Sequence, residues 1–213
     1  MTFNENKQRY LDELNKNIEN NLKDKSKKGF VDTNILQLIN LINSKENYYT
    51  TSSCAGRIAI ISIKKKKHES EWLFVSHDIV EENKNNNNFN YNEILNQINK
   101  NNIENNNEER ETWLLCEPCI IHICCRTLED AQLLYQLGKD IGFKHGGIQS
   151  TKNNKFLVEL IGADKINVPL KTNKSTETIT KNHLQFLIKE SDKKLQKNQE
   201  RINKLLESIK IKL

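Results

Sequence analysis

Tyr48-Tyr49-Thr50-Thr51-Ser52-Ser53-Cys54-Ala55-Gly56-Arg57-Ile58-Ala59-Ile60-Ile61-Ser62-Ile63 is the stretch that decides the fold class. Ile58 to Ile63 is short, apolar and rich in β-branched side chains, which reads as a buried strand. Ser52 to Gly56 is small, polar and ends on glycine, which reads as a turn entering that strand. Lys64 to Lys67 then forms the solvated turn of a hairpin, and Trp72-Leu73-Phe74-Val75 is its return strand.

Upstream, Leu11, Leu14, Ile18 and Leu22 step by three and four residues, the spacing of one helical face. Ile35, Leu38, Ile39 and Ile42 align on a second helix, with Asp32 placed to cap its first turn. Downstream, asparagine dominates residues 83–107. Such sequence buries too little to offset its ordering entropy, so it reads as a flexible insertion in which Ile94, Leu95 and Ile98 can form a helical turn. Leu114 to Cys125 is nearly continuous apolar sequence, as expected of one central strand. Thr127-Leu128-Glu129-Asp130 opens a further helix that Gly142 can end. Strands are expected around Phe156–Ile161 and Ile166–Leu170. From about residue 176 to 211 a long amphipathic helix carries Leu184, Leu187, Ile188, Leu195, Ile202, Leu205 and Ile209 on one stripe. The expected architecture is α+β: residues 1–213 as a single domain whose mixed sheet is built from two similar helix-strand-strand halves, flanked by helices.

The 213 residues suffice for a sizeable core. A net charge of +5 permits a polyanionic partner and does not require one. No run approaches the roughly 18 apolar residues of a membrane span, and the start of the chain lacks an apolar signal core. With five cysteines, an odd number, reduced thiols in a cytoplasmic protein fit better than a disulfide framework. Cys116-x-x-Cys119 leads into an expected strand rather than a helix, and no second such pair follows, so buried side chains are expected there and no metal.

Five blocks, in order, resemble the tRNA wybutosine-synthesis methyltransferase family. They are Asp24 to Asp32, Tyr48 to Ile58, Trp72 to His77, Glu117 to His122 running on through Cys125 to Ala131, and Asn198 to Ile202. The Ser-Ser-Cys-Ala-Gly-Arg segment is the most specific. Cys119 departs from the large apolar residue usual in the family, and the insertion after His77 is long. The resemblance implies a methyltransferase acting on N4 of a 4-demethylwyosine derivative at position 37 of phenylalanine tRNA, with S-adenosylmethionine as donor and the anticodon region, where bases are splayed, as partner.

Under that resemblance, His77 and His122 are candidate proton acceptors and Arg57 a candidate anion fork, the three forming the expected catalytic set. Ser52, Ser53, Cys54 and Gly56 can cradle a cofactor carboxylate or phosphate through backbone amides. Glu117, Arg126 beside a helix start, and Gly147 complete the expected cofactor-binding set. Each has a plainer alternative: a serine-capped turn, a surface ion pair, a structural strand histidine, a tight glycine turn. No Gly-x-Gly-x-x-Gly follows an expected strand, so a doubly wound cofactor site is not expected. The lysines at 64 to 67 and 23 to 28 suit phosphate contact. A non-catalytic module presenting tRNA to another enzyme is the competing reading, and a helical interaction protein built on the C-terminal helix is the third.

Overall fold

The computed structural model describes residues 2–20, 32–64, 70–81, 89–100, 110–151, 155–172 and 179–213. The lysines at 23 to 28 and 65 to 67, Leu22, and residues 83–88 and 101–107 of the asparagine stretch lie outside them. The chain divides into two compact units, neither of which is a continuous half.

The first unit comprises Met1–Ala55, Cys119–Ala163 and Asn198–Leu213. Its helices are α1 (Phe3–Glu19), α2 (Thr33–Ser44) and α4 (Leu128–Asp140). Its sheet orders β1 (Tyr48–Cys54), β5 (Ile120–Cys125), β7 (Phe156–Ile161) and β6 (His145–Ser150) as β1-β5-β7-β6, with every pair antiparallel. Strand alternation sends Ile121, Ile123, Val158 and Leu160 to one face, where they are fully buried with Ile35, Leu38, Leu134 and Phe143. Asp32 caps α2 by accepting from the Asn34 amide, and its other oxygen accepts from the Ala55 amide at 2.6 Å. One aspartate thus stabilises the helix start and ties it to the end of β1. Thr127 and Asp130 form a reciprocal capping box on α4, as the sequence suggests. On the opposite face, Phe3 and Tyr10 of α1 pack against the ring of Tyr49.

The second unit comprises Gly56–Pro118 and Asp164–Lys197. Its sheet orders β3 (Ser70–Ser76), β2 (Arg57–Lys64), β4 (Arg110–Glu117) and β8 (Ile166–Lys171) as β3-β2-β4-β8, again wholly antiparallel. The hairpin of β2 and β3 is the one read from the sequence. Five consecutive residues of β2, Ile58 to Ser62, are buried, as a central strand requires. Its core adds Leu114, Cys116, Leu184 and Ile188. Helix α5 (Lys181–Lys212) gives its residues up to Lys197 to this unit and those from Asn198 to the first. Asp192 of α5 accepts from the Val80 and Glu81 amides at 2.8 and 2.9 Å, fixing the segment that follows β3.

The α+β class and the long C-terminal helix are therefore as expected. Three expectations are corrected. The strands make two four-stranded antiparallel sheets rather than one mixed sheet. The apolar run from Leu114 to Cys125 is two strands, β4 and β5, in different sheets. Pro118 separates them, because proline has no amide to donate to a ladder. Within the stretch read as flexible, the helical turn expected at Ile94, Leu95 and Ile98 is a full helix, α3 (Tyr91–Lys100), with Ile94, Ile98 and the preceding Phe89 buried in the second unit's core. Apolar side chains one turn apart anchor a helix even between asparagines.

Candidate functional site

Ser52, Ser53 and Cys54 lie inside β1 rather than in a turn; the turn is only Ala55-Gly56. Thr51 is an extra residue in β1, since Thr50 faces Ile123 while Ser52 faces His122. That bulge re-aims the strand, putting Ser52 opposite His122 on the face away from α2 and α4. His122 in turn faces Glu159, and Glu159 faces Gly147. One cross-strand row, Ser52–His122–Glu159–Gly147, thus spans all four strands of the first unit's sheet.

The row is hydrogen-bonded along its length. Ser52 Oγ lies 2.8 Å from His122 Nδ1, and His122 Nε2 lies 2.8 Å from Glu159 Oε1. Gln149 Nε2 donates to Glu159 Oε2, also at 2.8 Å. Ser52 is exposed, whereas the His122 and Glu159 side chains keep 24% and 19% of their exposure. This is a partly sheltered polar chain with one end open to solvent. An arrangement of hydroxyl, imidazole and carboxylate in line can accept and hold a proton. Glu159 is absent from the residues expected from sequence. Its signal was present: a single acid within the apolar run Phe156–Ile161 must find a partner once its strand is buried.

Two further features of this unit lie on opposite faces of the sheet. A Cβ built on Gly147 would meet nothing within 4 Å, so the sheet leaves space there that its own packing does not use. Ser53 Oγ, on the other side of β1, is buried with no hydrogen-bond partner among the described residues. Arg126 is engaged otherwise. Its Nε donates to Asn47 Oδ1 at 2.9 Å, a terminal nitrogen donates to Asn4 Oδ1 at 2.8 Å, and the guanidinium lies 4.6 Å from the Phe3 ring centre. Beside it, the capping box takes the amides of Thr127 and Asp130. Here Arg126 acts as a clamp holding α1 to the sheet.

In the second unit, Arg57 and Glu117 face each other across β2 and β4, and Arg57 Nε donates to the Glu117 carboxylate. The same guanidinium sits 5.1 Å from the Trp72 ring centre. Glu117 therefore orients Arg57. His77 Nδ1 lies 2.9 Å from the Gly56 carbonyl oxygen. A carbonyl only accepts, so Nδ1 carries a hydrogen. Gly56 has φ of 102°, a conformation that side chains resist. The expected site residues thus fall into two groups: Ser52, Ser53, Cys54, His122, Arg126 and Gly147 in the first unit, and Gly56, Arg57, His77 and Glu117 in the second.

Cys116 and Cys119 are fully buried, one in each unit. Burial pushes both thiols up to about 12, so they stay protonated near neutrality and serve as small core side chains.

Residues 5–211 match the family described as Methyltransferase TYW3. The chain belongs to this family. A tRNA wybutosine-synthesizing protein 3 homolog of Xenopus laevis is 32% identical over 186 residues, covering 85% of this chain and 67% of that protein. The chain thus spans about two thirds of the length of the vertebrate relatives it matches. A Thermococcus sibiricus relative is 31% identical over 209 residues, 97% of this chain and 94% of its own. It is named tRNA(Phe) 7-((3-amino-3-carboxypropyl)-4-demethylwyosine(37)-N(4))-methyltransferase. Among solved structures, the PH1069 protein from Pyrococcus horikoshii superposes with a TM-score of 0.76 at 28% identity, over 98% of this chain and 96% of that one. Membership in the TYW3 family accounts for the five sequence blocks together, and the superposition extends the likeness to the fold. Among the described residues no helix is long and apolar enough to cross a membrane.

Proposed function

We propose that this chain transfers a methyl group from S-adenosylmethionine to N4 of the 4-demethylwyosine derivative at position 37 of phenylalanine tRNA. Its family supports the reaction class, and the Ser52–His122–Glu159 chain is the single observation that carries the site. The donor would supply an electrophilic methyl group whose departure needs no acid. What the protein must provide is alignment and a destination for the proton lost from the accepting nitrogen. His122, reached through the exposed Ser52 hydroxyl, provides that destination in the first unit. The unused space at Gly147 suits close approach of the donor. In the second unit, Arg57, oriented by Glu117 and Trp72, presents a cation for a carboxylate or phosphate. The cytoplasm, where tRNA is processed, is the proposed location.

The test is to incubate the purified protein with S-adenosylmethionine and phenylalanine tRNA bearing the unmethylated base, and then to weigh the digested nucleosides. One added methyl on the hypermodified base is expected. No gain, together with no binding of S-adenosylmethionine in a titration with and without tRNA, would favour the non-catalytic presenting module instead.

Gly147→Ala probes the donor side of this site. The added methyl meets no protein atom, and Gly147 is not among the glycines with positive φ, so stability should change by no more than about 0.5 kcal/mol. Binding of S-adenosylmethionine, measured by calorimetry, is expected to weaken by about tenfold as the methyl occupies ligand space. Unchanged affinity removes Gly147 from the site.

A further inference from the structure

We propose that Glu159, oriented by Gln149, is a positioning residue. It holds His122 as the tautomer protonated on Nε2, so that Nδ1 receives the substrate's proton through the Ser52 hydroxyl. This deepens the methyl-transfer reading above and rests on it.

The argument is one of donors and acceptors. An ionised carboxylate only accepts, so at 2.8 Å from Glu159 Oε1 the imidazole Nε2 must carry a hydrogen. Neutral imidazole then has its lone pair on Nδ1, and the Ser52 hydroxyl, 2.8 Å away, donates into it. Ser52 Oγ keeps its own lone pairs for a hydrogen arriving from outside, and Ser52 is the exposed end of the chain. In the reaction, the substrate nitrogen forms its bond to the methyl carbon as the carbon–sulfur bond of the donor breaks, and the sulfur leaves with that electron pair as a neutral thioether. The nitrogen's proton passes to Ser52 Oγ while the serine's own proton passes to Nδ1. The resulting imidazolium, with its Nε2–H on Glu159, later returns a proton through Ser52 to water.

Gln149 donates to Glu159 Oε2 at 2.8 Å and steadies the carboxylate, but as an exposed amide it can also turn to present its oxygen. A side chain at 149 that only donates fixes which way an amide at 159 must turn. In Gln149→Lys/Glu159→Gln the amide oxygen turns to the ammonium and the NH2 group to His122, where Nε2 must now accept. The imidazole hydrogen moves to Nδ1, donates to Ser52, and closes the entry for the proton. Gln149→Glu/Glu159→Gln does the reverse: the carboxylate at 149 takes the amide hydrogens at 159, and the amide oxygen faces Nε2–H.

Nitrogen-15 NMR of the histidine side chains in the full-length protein reads the tautomer directly, and single-turnover methylation of tRNA reads the rate. Wild type is expected to show Nε2–H for His122. Gln149→Lys/Glu159→Gln is expected to show Nδ1–H and to lose about 100-fold in kcat at nearly unchanged KM. Gln149→Glu/Glu159→Gln is expected to show Nε2–H and to run at least about tenfold faster than the lysine variant. A wild-type His122 protonated on Nδ1 overturns the proposal with no variant needed, should Gln149→Lys/Glu159→Gln not fold. Retention of Nε2–H, or of the wild-type rate, in a folded Gln149→Lys/Glu159→Gln protein overturns it as well. A tautomer switch in a protein that methylates nothing would support the positioning role and sink the methyl-transfer reading instead.

Discussion

His122→Ala is expected to lower kcat for methyl transfer by about 10²- to 10⁴-fold, the range of a general base that reaches its proton in the transition state. The residue lies on the face of the sheet away from the buried core of Ile121 and Ile123, so the truncation opens no cavity there. Glu159 loses one of its two partners and keeps Gln149, which limits the stability cost to about 1–2 kcal/mol. KM should move little, because the imidazole acts on the departing proton rather than on ground-state binding. Rapid-quench turnover on tRNA, with circular dichroism to confirm folding, separates these effects. A folded His122→Ala protein turning over at the wild-type rate would remove His122 from the chemistry and leave His77 as the remaining imidazole of the expected set.

Gly146→Ala is expected to be the most destabilising single methyl addition in the first unit, at about 3–5 kcal/mol. Two costs combine. Gly146 has φ of 97°, a conformation unfavourable for any residue with a Cβ. The added carbon would also overlap the backbone carbonyl oxygen of Glu159 on the neighbouring strand, where no rotamer change can relieve it. Relief requires β6 to part from β7, and β7 carries Glu159, so folding and site geometry fail together. Urea denaturation should show the midpoint falling sharply, while Gly147→Ala, one residue along, stays near wild type. Equal midpoints for Gly146→Ala and wild type would mean that β6 does not pair with β7 as described.

The contrast between adjacent glycines shows where reading residues in order stops. Both stand in the same Lys-His-Gly-Gly-Ile segment and look alike as a turn signal. Only the paired backbone of β7 makes one of them obligatory and leaves open space beside the other. Arg126 teaches the same lesson. Its place before a helix start suggests phosphate binding, yet Asn47, Asn4 and Phe3, distant or unremarkable in sequence, meet its guanidinium first. Asp192, buried on a helix that looks merely amphipathic, proves to hold the segment after β3 through two amides.

What the sequence determined by itself was much of what depends on neighbours a few residues away. The Asp32 and Thr127 caps, the β2–β3 hairpin and the α+β class follow from short-range hydrogen-bonding chemistry and from the period of apolar side chains, while the family blocks are legible only as a resemblance of residues in order. Tertiary structure alone decided which strands share a sheet, because the pairing of β1 with β5 joins residues 66 to 77 positions apart and leaves no periodic trace in either partner. The extra residue at Thr51 slides Ser52 opposite His122, and the pairing of β5 with β7 brings in Glu159. A one-residue slip in either ladder would send these side chains to opposite faces, so the register set by the packed cores, rather than any motif, assembles the hydrogen-bonded row on which the proposed proton path rests.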